Sequence, residues 1–217
     1  MKFSKLAVAL LSMVAATATH ASTLNVAIDI SGSTPVVQPV FMRTALPIIA
    51  DQILALPIGA RIKAFSVGDD NARALNIDLW VQRNRTAQGD TAKELAGKVT
   101  RMIANYLNDL RAKPETMQGE SSLSPAFLDA SKWCQKDKPC KMIYLTDGLE
   151  HQPGIIAWPR EYTKPLPPIP GLDLGGMEVL MYGVGQGAPT KARIAIEQHW
   201  KTWLKDHRAG TVDLRRL

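Results

Sequence analysis

Two clusters of oxygen-bearing side chains each close an apolar run. Thr23-Leu-Asn-Val-Ala-Ile-Asp-Ile-Ser31 is almost continuously apolar and leads into Asp29-Ile-Ser-Gly-Ser33. Lys141-Met-Ile-Tyr-Leu-Thr-Asp-Gly148 has the same form and brings Asp147 to its end. Carboxylates and hydroxyls, with no nitrogen or sulfur among them, suit a hard divalent ion such as Mg²⁺ or Mn²⁺. The same residues have a plainer reading, because Asp and Ser behind a strand can simply cap the helix that follows.

The elements around these clusters decide where they sit. Strands that are apolar on both sides belong in the middle of a sheet covered by helices. After Gly32 and Ser33, Pro35 suits a first helical turn. An apolar face of Val36, Val37, Val40, Phe41, Leu46, Ile49, Ile53 and Leu54 carries a helix to about Leu56, with Pro47 inside it. Ala60–Val67 reads as a second strand and Leu75–Val81 as a third, at an edge. Asp90 opens the clearest helix: Leu95, Val99, Met102, Ile103, Tyr106, Leu107 and Leu110 recur at three- and four-residue steps, a core-packing stripe. A short helix from about Ser124 to Cys134 precedes the strand that ends at Asp147. Met177–Val184 is a further strand, and Lys191–His207 is the last helix, with Ile196, Trp200, Trp203 and Leu204 inward. Strands alternating with helices predict one doubly wound, Rossmann-like α/β domain over 22–217, a three-layer sandwich on a mostly parallel sheet with one antiparallel edge strand. In such sheets, sites lie at the carboxyl ends of the strands, where both aspartates fall.

The first 21 residues read as an address. Lys2 and Lys5 give a basic start, Leu6–Ala18 is apolar, and Thr19-His20-Ala21 offers small residues before a cut. The apolar run is shorter than the ~20 residues of a membrane-spanning helix, so no stable membrane insertion is expected after cleavage. No cysteine precedes Cys134, which excludes a lipid-anchored start. The protein is expected in the periplasm or outside the cell. There, Cys134 and Cys140 are expected to pair, since the spacing is not that of a redox Cys-x-x-Cys and two thiols do not make a zinc site. The 217 residues carry 26 Lys and Arg against 20 Asp and Glu, a net +6. Without the leader the excess is only +4, and no basic run interleaved with aromatics occurs, so nucleic acid is not an expected partner.

The two strand-end clusters together resemble the metal-ion-dependent adhesion site of von Willebrand factor type A domains. That site uses Asp-x-Ser-x-Ser, a hydroxyl from a second loop and an Asp from a third. The order of strands and helices resembles the family over essentially the whole mature chain. For the second loop, Ser121-Ser-Leu-Ser-Pro-Ala-Phe127 resembles the family's Gly-Thr-x-Leu-x-Pro-Ala-Leu, which puts Ser121 where Thr is common and Glu120 where Gly is common; Ser122 is the fallback. The resemblance implies that Ser31, Ser33 and Ser121 bind Mg²⁺ directly, or Mn²⁺ or Ca²⁺ in its place, while Asp29 and Asp147 act largely through water. It also implies that a protein partner supplies an acidic oxygen, that the protein is not an enzyme, and that it works within an envelope assembly.

Two rivals stand beside this reading. A phosphohydrolase of the haloacid dehalogenase type also begins on a strand ending in Asp, but it needs Asp-x-Asp, and Ser31 cannot serve as its general acid. A metal-free scaffold would make its contacts through 151–170, which has six prolines and no periodicity, or through the surface of Trp200 and Trp203. Glu150 or His151 could reach the ion or line the rim of its site. The Gly183-Val-Gly-Gln-Gly187 turn lacks the spacing and the Lys of a phosphate loop.

Overall fold

In chain order the elements are β1 (Thr23–Asp29), α1 (Pro39–Leu54), β2 (Arg61–Val67), β3 (Asn76–Val81), β4 (Gly89–Asp90) and α2 (Ala92–Ala112). They continue with α3 (Pro125–Trp133), β5 (Cys140–Leu145), β6 (Glu178–Tyr182), α4 (Thr190–Asp206) and β7 (Val212–Arg215). The structure, a computed structural model, describes residues 23–68, 74–86, 89–117, 122–134, 139–150 and 165–217. The expected leader, Ser121, Glu120, His151 and the 151–164 part of the proline-rich loop lie outside them.

All seven residues of β1 are buried, and the topology shows why. The sheet order is β4-β3-β2-β1-β5-β6-β7, so β1 is central. It pairs in parallel with β2 on one side and β5 on the other. Its side chains alternate between two cores. Leu24, Val26 and Ile28 join Phe41, Ile49 and Ile53 of α1 and Leu95, Val99, Ile103 and Leu107 of α2. Ala27 joins Met142 and Tyr144 of β5, Phe127 of α3, and Trp200, Trp203 and Leu204 of α4. Each fully buried aliphatic or aromatic side chain contributes about 1.5–3 kcal/mol through water release. The result is an α/β fold whose seven-stranded sheet is parallel except at β2–β3, compatible with a Rossmann-like type.

Several local expectations shift. The antiparallel strand β3 is not the edge, because Gly89 and Asp90 pair with Trp80 and Val81 outside it. A side chain at 89 would run into the Trp80 carbonyl, so glycine permits this approach. Asp90 ends β4 rather than opening α2, and its carboxylate is held by Lys98 at 3.0 Å and Arg85 at 3.4 Å. The helix starts two residues later, at Ala92, behind a capping box: Glu94 N–H donates to Thr91 Oγ1 and Thr91 N–H to Glu94 Oε2. Within the expected stripes, Val40, Leu54 and Met102 turn outward. The Trp200 and Trp203 rings are buried in the core. The four-residue β7, which carries no apolar run to announce it, adds in parallel to β6.

Cys134 and Cys140 form a disulfide between the residue capping α3 and the first residue of β5. Asn25 Nδ2 donates toward both sulfurs from the central strand. Among the described residues, no helix is long and apolar enough to cross a membrane.

Candidate functional site

The chain reverses its direction of travel across the sheet between β1 and β5, and ligand sites in open α/β sheets lie at such a switch point. Asp29 is the last residue of β1, and Asp147 follows β5 by two residues. Both carboxylates are buried. Asp29 Oδ1 accepts the N–H of Ser31 at 2.9 Å, an Asx turn that swings the chain out of the strand. Its Oδ2 accepts the hydroxyl of Thr146, also at 2.9 Å. The Ser31 and Ser33 hydroxyls lie 3.3 Å apart. Ser31 is buried whereas Ser33 is exposed, so the pair leads from the buried carboxylates to solvent.

Helix capping does not account for these residues. The turn after β1 (Pro35–Val37) is capped by Thr34, whose Oγ1 accepts the Val36 N–H, and Gln38, at the cap position of α1, makes no side-chain capping bond.

The third loop is held tightly. Asp147 Oδ1 accepts Leu149 N–H at 3.0 Å, and Thr146 Oγ1 accepts Gly148 N–H at 2.9 Å. Gly148 has φ +77°, and a Cβ there would press on Ile196, Trp200 and Val184 at 3.1 Å. Trp200 Nε1 donates to the Gly148 carbonyl at 2.9 Å. The glycine-rich turn after β6 serves the same loop, since Gly185 N–H donates to the Asp147 carbonyl at 2.7 Å.

Electrostatics mark the carboxylates as a strained pair. Burial, and then the charge of Asp147, push Asp29 up to about 6, against the hydrogen bonds from Ser31 and Thr146. Burial also raises Asp147, opposed by Leu149 N–H and the nearby Ser33 hydroxyl. Asp147 Oδ2 is buried and has no hydrogen-bond partner among the described residues. An unmatched buried carboxylate oxygen is costly, and a cation would satisfy it. Among the described residues no group of three or more His, Cys, Asp and Glu is placed to hold an ion. Any ion here would therefore rest on two carboxylates and on hydroxyls, the donor set of a hard metal. Asp29, Ser31, Ser33 and Asp147 fit that role by position.

Glu150 does not line the rim. It is 4% exposed and turns toward α3, where Oε2 accepts the N–H groups of Leu123 and Ser124, both at 2.9 Å. Its Oε1 accepts the Ser124 hydroxyl at 3.0 Å. Tyr144 donates its hydroxyl to the Leu123 carbonyl at 3.2 Å. Burial, with the charges of Asp29, Glu150 and Asp147, raises Tyr144 well above the usual phenol range. Sequence reasoning missed Thr146 and Tyr144 as supports. The Thr-Asp-Gly triplet signalled the first, and nothing local signalled the second.

The described end of the proline-rich segment is packed rather than free. Trp203 Nε1 donates to the Pro167 carbonyl at 2.7 Å, and Ile169 N–H donates to His207 Nε2 at 3.2 Å. His207 Nδ1 lies 2.8 Å from the Trp203 carbonyl.

No protein-family model and no curated protein matches the chain. Among solved structures, proximal thread matrix protein 1 from the mussel byssus is similar with a TM-score of 0.43 and 13% identity. The match covers 90% of this chain and 42% of that one, so the chain spans less than half of the relative's length.

Proposed function

We propose that this chain is an exported von Willebrand factor type A domain, a doubly wound three-layer sandwich that binds a protein partner through a divalent ion at the β1–β5 switch point. Ser31 and Ser33 would hold the ion with Ser121 of the second loop, and Asp29 and Asp147 would act largely through water. Mg²⁺ is the proposed ion, with Mn²⁺ or Ca²⁺ as substitutes, and it would supply a Lewis-acidic position for an acidic oxygen of the partner. The protein itself supplies two buried negative charges, the hydroxyls above them and a solvent opening at Ser33. In this reading it is a binding module, not an enzyme. It works in the periplasm or outside the cell, within an envelope assembly.

The observation that carries the reading is the pairing of Asp29 and Asp147 at the ends of adjacent parallel strands, with Asp147 Oδ2 buried and unmatched among the described residues. The experiment is thermal unfolding in EDTA, Mg²⁺ and Mn²⁺, with Asp29→Ala alongside. An ion at a hundred times its Kd stabilises by about 2.7 kcal/mol, several degrees for a domain of this size. A shift in the wild type that is lost in D29A supports the site. No shift with either ion rejects it.

A further inference from the structure

Leu123 is held on both sides of its backbone by one short stretch of chain. Its N–H donates to Glu150 and its C=O accepts from Tyr144. Asp147 lies midway between those two residues in the sequence. Thus the segment that presents the third-loop carboxylate also grips the second loop where it enters α3.

The grip exceeds what α3 needs for itself. A local Ser, Thr or Asp side chain is enough to cap a helix. Ser124 occupies the cap position of α3, yet it makes no capping bond and gives its hydroxyl to Glu150 Oε1 instead. Burying a carboxylate is expensive unless hydrogen bonds replace its water. Glu150 meets that demand with two backbone N–H groups and a hydroxyl drawn from residues 26 and 27 positions away. A long-range bond of this kind stitches two loops together.

We infer that Glu150 is a positioning residue for the ion site: it fixes the backbone at Leu123 and Ser124, directly after Ser122, and so sets how the Ser122 hydroxyl is presented toward Asp29 and Asp147. This rests on the ion reading above. Reach, rather than charge, is the operative property. In E150Q the amide oxygen accepts the same two N–H groups and the amide nitrogen donates to Ser124 Oγ. In E150D the charge remains but the side chain is one methylene short.

The test measures Mn²⁺ affinity by titration calorimetry on the full chain for wild type, E150A, E150Q and E150D. Amide exchange at Leu123 and Ser124 is followed in parallel. Groups that orient metal ligands typically alter affinity 10–100-fold when removed. E150A and E150D are expected to lose at least about tenfold in affinity, together with protection at both amides, while E150Q stays within about threefold of wild type. If E150A does not fold, the comparison of E150D with E150Q carries the test. A folded E150A or E150D with wild-type affinity overturns the inference, and so does an E150Q as weak as E150D. A wild-type chain that binds no Mn²⁺ overturns the ion reading, and the inference with it.

Discussion

Thr146 donates its hydroxyl to Asp29 Oδ2 at 2.9 Å, joining the ends of two neighbouring strands across 117 residues of sequence. The same threonine oxygen accepts the Gly148 N–H. One small side chain thus fixes both the carboxylate of the first loop and the turn of the third.

Thr146→Val keeps the shape of that side chain and removes both bonds. It is expected to cost about 1–3 kcal/mol, because the Gly148 N–H and Asp29 Oδ2 lose a partner in a buried setting. Without the bond that lowers it, Asp29 should also rise further above its usual range. Urea unfolding of T146V against wild type measures the first effect. Carboxyl titration by NMR measures the second.

The buried pair makes the ion-free protein sensitive to pH in an unusual direction. Asp29, held at about 6, keeps its proton more tightly folded than unfolded. Its stabilising contribution is therefore complete below about pH 4 and is lost as the pH rises through 6. In EDTA, moving from pH 7 to pH 5 should recover about 1 kcal/mol, from Asp29 chiefly and from Asp147 in the same sense. Asp78, lowered to about 2 by its hydrogen bond to Arg61 and its pairing with Lys63, shifts stability only below that window. Asp29→Asn imitates the protonated form and should remove most of the gain. Urea midpoints at the two pH values, in both proteins, decide it. An equal slope in D29N rejects the assignment.

Gly148 stands at φ +77° with three side chains at 3.1 Å from where a Cβ would fall. Gly148→Ala should cost more than the ~1 kcal/mol of left-handed backbone alone, since Trp200 must also move. A change in tryptophan fluorescence at low denaturant would report that movement. A G148A protein with wild-type stability and spectrum would contradict the packing described.

The disulfide closes a short loop, worth about 2 kcal/mol by chain entropy. Cys134→Ala with Cys140→Ala should lower stability by that order and leave the fold in place. Mass spectrometry of wild type isolated without reductant should find no free thiol, and two free thiols would refute the pairing as native.

Much of this architecture was legible because the strongest signals are periodic or terminal. The doubly apolar runs before Asp29 and Asp147 placed β1 and β5 inside the sheet, and the Leu95–Leu110 stripe placed α2. The failures have specific physical causes. Gly89–Asp90 pairs over two residues, too few for any period, and its pairing depends on an absent side chain. Met102 falls in the α2 stripe by spacing but turns to solvent, because a helix face is wider than the core it meets. Glu150 stands beside the site in sequence and points away from it, since its partners at 123 and 124 come from another loop. Long-range hydrogen bonds of this kind leave no mark in local pattern.

The central place of β1 has a consequence for how the chain is made. Of the seven described strands β1 comes first in the chain, and β2 can cover one of its edges soon afterwards. The other edge must wait for β5, more than a hundred residues later. Until then the nascent protein presents an apolar strand with one row of amides and carbonyls unpaired, the kind of edge on which chains aggregate. The two aspartates meet only when that gap closes, so the site forms no earlier than the β1–β5 pairing.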